Sequence, residues 1–221
     1  DYRLVAAKPK SIDHTVAASM PLTLITAWEA IEKKFGVKVP ATGSEEEKIN
    51  ASKTILIVAG AGGVGSIAIQ LAKRIFKIGK VVATAGRADS QAWCLKLGAD
   101  LVLNRSTDYE TQLKEAGVAG FDYILSCTAI DDILENLISI LNPFGHIASI
   151  VNAQKPLALQ NLFRKVGSLP FEFMGGRPVH NYHQEEHGSI LSRGAALVDN
   201  GTIVPWVGTT YDAATVENVR A

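Results

Sequence analysis

The chain has 221 residues, of which 47% are hydrophobic and 20% charged, and its 22 basic side chains balance 22 acidic ones. This composition is typical of a globular protein with a buried core, and the neutral balance gives no electrostatic reason to expect nucleic acid or an anionic membrane as a partner. Two cysteines without a Cys-x-x-Cys pair argue against a disulfide framework and a zinc ribbon and suit a reducing, cytoplasmic compartment.

The first fifty residues indicate a strand, two helices and a loop, and no apolar run is long enough to span a membrane. The chain starts without methionine beside a strand-like run at residues 3–7, so we expect it to be part of a longer protein. Ser11 and Asp13 are N-cap candidates, and Pro21 begins a second helix. That helix ends where a polar segment rich in Gly, Pro and Ser begins, and this segment, residues 36–53, predicts a surface loop.

From residue 54 onward, apolar runs alternate with helical patterns. Strands are predicted at residues 54–59, 80–85, 100–103, 121–126, 146–151 and 170–174. Helices are predicted at about residues 64–77, 89–97, 108–116, 130–141 and 158–166, with a last helix that ends at Asn200 and Gly201. Strands that are apolar on both faces, each followed by a helix, predict an α/β fold with a doubly wound parallel sheet, that is, a Rossmann fold.

A glycine-rich turn follows the first of these strands and opens a helix, which is the context that the G-x-G-x-x-G dinucleotide motif requires. Gly60 allows a tight turn, Gly62 lets the backbone approach a pyrophosphate, and Gly65 lets the helix pack close to the strand. The helix N-terminus then offers free N–H groups to phosphate oxygens. The alternative is a glycine-rich βα turn without a nucleotide.

The end of the second strand bears on the choice of cofactor. NAD-binding sites usually carry an acid there, which binds the ribose hydroxyls, but Ala85 and Gly86 occupy this point and Arg87 follows. Asp89 is the only nearby acid and lies beyond the arginine. A guanidinium that can pair with a 2′-phosphate favours NADPH. The alternative is that Arg87 is a solvated loop residue.

Three further groups carry candidate chemistry. Ser126 and Thr128 follow the fourth strand and can hydrogen-bond a cofactor, whereas Cys127 between them is interpreted as a small buried thiol rather than a nucleophile. Two histidines, His183 and His187, are four residues apart, and His180 precedes them with Glu185 and Glu186 nearby. This group fits either a zinc site or a solvated helix start.

The segments MPLTLITAWEAI, GAGGVGSIAIQLAK, WCLKLGAD and FEFM, in this order and spacing, resemble the medium-chain dehydrogenase/reductase superfamily. Within it, the chain is most similar to zinc-independent quinone-reductase-like proteins, often labelled zinc-type alcohol dehydrogenase-like, over about residues 2–210. The resemblance implies a cofactor domain flanked by remnants of a GroES-like catalytic domain. We expect a leading strand, hinge helices and loop at 1–52, the dinucleotide-binding Rossmann domain at 53–180, and a final helix with the start of a return to the catalytic domain at 181–221.

The resemblance also implies which residues contact the cofactor. Thr26, with Thr23 alongside, matches a residue that lines the nicotinamide pocket, and Gly86 and Arg87 match a Ser-Arg pair around the 2′-phosphate. Gly86 replaces the serine of that pair, which removes one hydrogen bond to the phosphate. The remaining matches are the pyrophosphate turn (Gly62, Gly63, Val64), the loop after the fourth strand (Thr128), the stretch beside the nicotinamide (Val151, Asn152) and the loop that closes over the cofactor (Phe173, Met174, Gly175).

Leu22 occupies the position where zinc-dependent relatives have a cysteine ligand, and no Cys or His lies between Pro21 and Trp28, so we predict no metal. The implied reaction is zinc-independent hydride transfer from NADPH to a quinone or an α,β-unsaturated carbonyl, with no proton donor assigned in this chain. A zinc-dependent alcohol dehydrogenase and a non-catalytic nucleotide-binding module stay open as alternatives. The family often dimerises through the edge of the cofactor-domain sheet, so a homodimer is expected.

Overall fold

The computed structural model describes residues 1–104, 108–211 and 215–220. One parallel sheet has the strand order β3-β2-β1-β4-β5. The strands are β1 (Thr54–Val58), β2 (Lys80–Thr84), β3 (Leu101–Leu103), β4 (Phe121–Ser126) and β5 (Leu141–Ser149). The chain order reverses between β1 and β4, which creates a crevice at the carboxyl ends of the strands. The predicted doubly wound α/β fold is confirmed.

Helices cover both faces of this sheet. They are α1 (His14–Ala18), α2 (Pro21–Glu29), α3 (Glu45–Ala51), α4 (Gly63–Gln70), α5 (Ala88–Leu97), α6 (Tyr109–Glu115), α7 (Leu134–Ser139), α8 (Gln160–Arg164), α9 (Gly176–Val179), α10 (Glu185–Asp199) and α11 (Val216–Arg220). A π-helical turn extends α2 to Lys34 and another extends α4 to Ile75. None of the described helices is both long and apolar enough to cross a membrane.

Two apolar cores lie on opposite faces because side chains alternate along each strand. Ile55 and Ile57 of β1 belong to the core formed with α2, α4, α5 and α10. Leu56 and Val58 belong to the core formed with α6, α7 and α8. All four side chains are at most 4% exposed. A strand buried on both faces has to be apolar throughout, which is why β1 could be predicted as one continuous run.

Two predicted strands are wrong. Residues 3–7 form no strand, because Tyr2–Leu4 is a 3₁₀ turn in which the Asp1 carboxylate accepts hydrogen bonds from the backbone N–H and guanidinium of Arg3. The segment 170–174 likewise forms no regular strand. It continues the sheet beside β5 only through one isolated parallel bridge, between Ser149 and Phe171.

Helix capping explains one wrong prediction and one confirmed prediction near the N-terminus. The predicted loop at 36–53 contains α3, whose N-cap Ser44 accepts a hydrogen bond from the Glu47 N–H at 3.2 Å. Three acids in the first turn favour this helix start. Asp13 caps α1 as predicted, whereas Ser11 instead donates its backbone N–H to Asp199 of α10. The domain boundaries stay predictions, and the parts at 105–107, 212–214 and 221 lie outside the described residues.

Candidate functional site

The glycine turn after β1 is held against β2. Thr84 at the end of β2 accepts hydrogen bonds from the N–H groups of Ala59 (to Oγ1) and Gly60 (to the backbone oxygen), both at 3.0 Å. A Cβ atom on Gly65 would lie 2.5 Å from the Ala59 carbonyl oxygen, and one on Gly60 would lie 2.7 Å from the Ala83 Cβ. The fold therefore requires glycine at both positions, since each contact is far shorter than van der Waals distance.

Gly62 is different. A Cβ there would meet nothing closer than the Ala59 carbonyl oxygen at 3.4 Å, and its φ of −76° suits any residue. It is the N-cap of α4, and no side chain caps this helix. The N–H groups at the start of α4 are therefore available to an external anion. Packing gives no reason for glycine at position 62, whereas close approach of a phosphate does.

A cavity of about 390 Å³ opens beside this turn at the carboxyl ends of β1 and β2. Its lining consists of Ala59, Ala61, Gly62, Thr84, Ala85, Gly86, Arg87, Ser90 and Trp206. The cavity thus brings together three predicted cofactor residues from two different strand ends. Arg87 is the N-cap residue of α5, and Asp89 lies in the first turn of that helix outside the lining. The described lining contains a guanidinium and no carboxylate.

Trp206 reaches this cavity from the far end of the chain and was missed by the sequence reasoning. The buried Gln70 of α4 donates its amide to the Val204 carbonyl at 2.9 Å and accepts the Val204 N–H at 2.8 Å. Arg74, one turn further on, donates to the Thr202 carbonyl at 2.7 Å. These bonds hold the segment that follows α10 along α4. The sequence offers one indication of this contact. Gln70 lies within an apolar helix, and its amide needs a hydrogen-bond partner when buried.

The other predicted cofactor residues lie along the same edge of the sheet, outside the described lining of this cavity. Ser126 and Ser149 end β4 and β5, and both are fully buried. Their hydroxyls donate to the carbonyls of Thr128 at 3.0 Å and Val151 at 2.8 Å. These bonds fix the loops that follow the two strands, and Thr128 and Asn152 lie exposed on them. The predicted roles of these loops at the nicotinamide stay predictions.

Residues of α2 and of the loop 173–175 pack against the same core. Thr26 is buried at 4% exposure in α2, and Thr23 packs so close to Gly63 that a Cβ there would lie 2.9 Å from the Thr23 methyl. In the loop, Phe173 is 68% exposed, whereas Met174 packs against the core that contains α2. Val64, in the first turn of α4, is buried in that same core.

The cysteines and histidines singled out in the sequence lie in different surroundings. Burial raises the pKa of Cys94 to about 11 and that of Cys127 to about 12, so both thiols are neutral near pH 7, and the interpretation of Cys127 as an inert thiol is supported. His183 precedes α10 and is exposed, whereas His187 is buried in that helix beside Glu29. Within residues 1–104, 108–211 and 215–220, no group of three metal-ligating side chains comes together.

Comparison with known proteins places these features in one family. Residues 63–184 match the family described as zinc-binding dehydrogenase. A zinc-type alcohol dehydrogenase-like protein of Staphylococcus epidermidis is 37% identical over 219 residues, 98% of this chain and 62% of that protein. The chain therefore spans less than two thirds of this relative's length.

Two solved structures carry the same fold. A putative zinc-dependent alcohol dehydrogenase protein from Rhizobium etli has a TM-score of 0.87 and 32% identity, and the match covers 100% of this chain and 62% of that one. The quinone oxidoreductase of Escherichia coli, solved in complex with NADPH, has a TM-score of 0.72 and 26% identity, and the match covers 92% and 59%. The fold is thus shared with an oxidoreductase whose structure was solved with NADPH bound.

Proposed function

Because the chain belongs to the zinc-binding dehydrogenase family, within the medium-chain dehydrogenase/reductase superfamily, we propose that it forms the NADPH-binding part of an oxidoreductase. The acceptor that we propose is a quinone or an α,β-unsaturated carbonyl. One observation carries the proposal: Gly62, where only a ligand needs the absence of a side chain, shares a cavity with Arg87. The NADPH complex of the related quinone oxidoreductase supports it.

The residues present fit a dinucleotide phosphate. The N–H groups at the start of α4 would hold the pyrophosphate, and the guanidinium of Arg87 would pair with the 2′-phosphate. NADPH supplies the hydride when bound. The chain itself binds and orients the cofactor along the carboxyl edge of the sheet and excludes water from it. A conjugated acceptor is proposed because it delocalises the charge that arises on reduction and so needs no metal to polarise it.

Titration of the 221-residue chain with NADPH and NADH tests the cofactor. The chain is expected to bind NADPH more tightly than NADH, and Arg87→Gln is expected to weaken NADPH binding by about tenfold to a hundredfold, since a hydrogen-bonded charge pair is lost. NADH affinity should not change. Arg164→Gln removes another exposed arginine, on α8, and serves as the control. Tighter binding of NADH than of NADPH by the unaltered chain would contradict the assignment.

Trp206 is expected to contribute to the adenosine half of the site. Its ring lines the cavity together with Arg87, so Trp206→Ala should weaken both NADPH and 2′,5′-ADP by about tenfold through loss of a stacking face. Trp206→Phe keeps an aromatic ring and should retain most of the affinity. Isothermal titration of the three proteins with the two ligands measures this. Unchanged affinity of Trp206→Ala for both ligands would show that the indole lines the cavity without contributing to binding.

A zinc-dependent alcohol dehydrogenase is the alternative, because the matched family is described as zinc-binding. Leu22, at the position of the cysteine ligand in zinc-dependent relatives, is 58% exposed and cannot bind metal. We therefore propose a zinc-independent reaction. Metal analysis of the protein, including any part outside these 221 residues, decides between the two: one tightly bound zinc per chain on which activity depends would establish the alternative.

Two further proposals concern the whole protein. A non-catalytic module would bind NADPH without turnover even when the protein is complete. We propose instead that the complete protein turns over, that turnover needs the catalytic domain, and that the 221-residue chain alone turns over poorly.

We also propose a homodimer through the sheet edge beyond β5, where Phe171 is 46% and Phe163 84% exposed. Light scattering on the purified chain measures its oligomeric state.

A further inference from the structure

Two buried carboxylates and the side chains around them connect α2, the loop 173–175 and α10. Glu29 is 4% exposed, forms an ion pair with Arg177 and lies 3.7 Å from Nε2 of His187. Glu172 is 3% exposed, and its Oε2 lies 3.4 Å from Nζ of Lys34. We call these five residues the clamp. Burying two carboxylates is costly, and the cations of Lys34 and Arg177 beside them offset that cost, so the arrangement specifies how the three segments meet.

The clamp encloses the loop that the sequence assigns to the cofactor. Glu172 directly precedes Phe173, and its N–H donates to the Ser149 carbonyl at the end of β5 at 2.9 Å. Arg177 follows Gly176 and also donates to the His183 carbonyl at 3.4 Å. Hydrogen bonds and ion pairs therefore hold both ends of the loop, whereas in its middle Met174 packs against the core and Phe173 is 68% exposed.

The same clamp holds the helix that carries Thr26. Glu29 lies one turn after Thr26 on α2, and both side chains are buried. The ion pair between Glu29 and Arg177 thus joins the helix of one predicted nicotinamide residue to the loop that is predicted to close over the cofactor. None of the five clamp residues belongs to the described lining of the cavity that contains Arg87, so this connection lies outside that cavity.

We infer that Glu29 and Arg177 are positioning residues that hold the loop 173–175 against α2 at the spacing needed by the nicotinamide half of the cofactor. The inference rests on the proposed function, since it assumes that NADPH lies along the carboxyl edge. A guanidinium donates in a fixed planar geometry, so the pair sets both distance and orientation. Loss of Arg177 would leave the buried carboxylate of Glu29 without its main partner and release the loop.

Comparison of a whole and a half cofactor tests this inference. NADPH contains the nicotinamide, whereas 2′,5′-ADP contains only the adenosine half that Arg87 and Trp206 would hold. Arg177→Met is expected to weaken NADPH binding by about tenfold and to leave 2′,5′-ADP binding unchanged. Arg177→Lys keeps the charge and should recover part of the loss. Lys73→Met, which breaks the Lys73–Asp100 ion pair outside the clamp, is the matched control and should change neither affinity.

Each result decides a different claim. Equal weakening of both ligands in Arg177→Met, or no weakening of either, overturns the inference, and binding of 2′,5′-ADP verifies that the variant is folded. If Arg177→Met does not fold, Glu29→Gln replaces it, because the amide keeps the shape and one acceptor, and the same selective loss of NADPH affinity is expected. Failure of the unaltered chain to bind either ligand would instead refute the proposed function, and the inference with it.

Discussion

Replacement of Gly62 by alanine is expected to leave the fold unchanged and to abolish most of the affinity for NADPH, a loss of about a hundredfold. The new methyl group finds room in the structure, since its nearest neighbour would be the Ala59 carbonyl oxygen at 3.4 Å. It would project from the N-cap of α4, where the proposed pyrophosphate has to approach the backbone. Loss of two hydrogen bonds to a charged group corresponds to about 3 kcal/mol, or a hundredfold in Kd.

Gly65→Ala is the matched variant and is expected to fail differently. Its Cβ would lie 2.5 Å from the Ala59 carbonyl oxygen and 2.7 Å from the Gly60 Cα, and both are backbone atoms that cannot rotate away. Overpacking of this kind costs about 3 kcal/mol of unfolding free energy, at the upper end of the usual range. Urea denaturation and NADPH titration of both variants separate the two effects. A destabilised Gly62→Ala, or one that binds NADPH normally, would contradict the assignment of Gly62 to the ligand.

The contrast between Gly62 and Gly65 also shows which features of the site could be predicted from the sequence and which could not. The motif Gly60-x-Gly62-x-x-Gly65 and the strand before it could be recognised because they are local. The roles of the three glycines could be predicted from the motif, but the contact that excludes a side chain at Gly60 could not, because it involves Ala83 of β2, which lies beside Gly60 only after the sheet has formed. Similarly, the five strands of the sheet were predictable at least in part from their apolar runs, whereas the segment 170–174, which contains Glu172, makes one isolated bridge at the edge.

Long-range polar contacts account for the features that were missed. Trp206 joins the cavity because Gln70 binds the backbone of Val204, 134 residues further along the chain. The clamp joins Glu29 to Arg177, which are 148 residues apart. Neither pairing has a period or a spacing that a single sequence reveals. Such contacts are specified by which polar group needs a partner once the core has closed, and this is decided by the fold.

Glu172→Gln is expected to stabilise the protein above neutral pH, by about 1–3 kcal/mol of unfolding free energy at about pH 8. Burial, together with the nearby Glu29 carboxylate, raises the pKa of Glu172 from 4.5 to about 7, and the ammonium of Lys34 opposes this shift only partly. Above about pH 7 the folded protein therefore holds a poorly solvated negative charge beside another. Glutamine fills the same volume without that charge.

The sign of the pH dependence follows from the two pKa values. Below about pH 4.5, Glu172 is protonated in both the folded and the unfolded chain and contributes nothing. As the pH rises from there to about 7, the unfolded chain loses the proton first, so unfolding becomes progressively more favourable. The advantage of Glu172→Gln should thus be absent in acid, grow through this window and level off above it. Urea denaturation of both proteins from about pH 5 to about pH 8 measures the difference.

The effect of His187 overlaps this pH window with the opposite sign and has to be separated from that of Glu172. Its burial lowers its pKa despite the adjacent Glu29, so stability is lost as the pH falls below the ordinary value of 6.5. Both proteins in the comparison contain His187, so its contribution largely cancels in their difference. Glu115→Gln, at an exposed position of α6, controls for the loss of one surface charge. If Glu172→Gln instead destabilises the protein at about pH 8, the ion pair with Lys34 outweighs the burial of the carboxylate, and the clamp is held by Glu172 in its charged form.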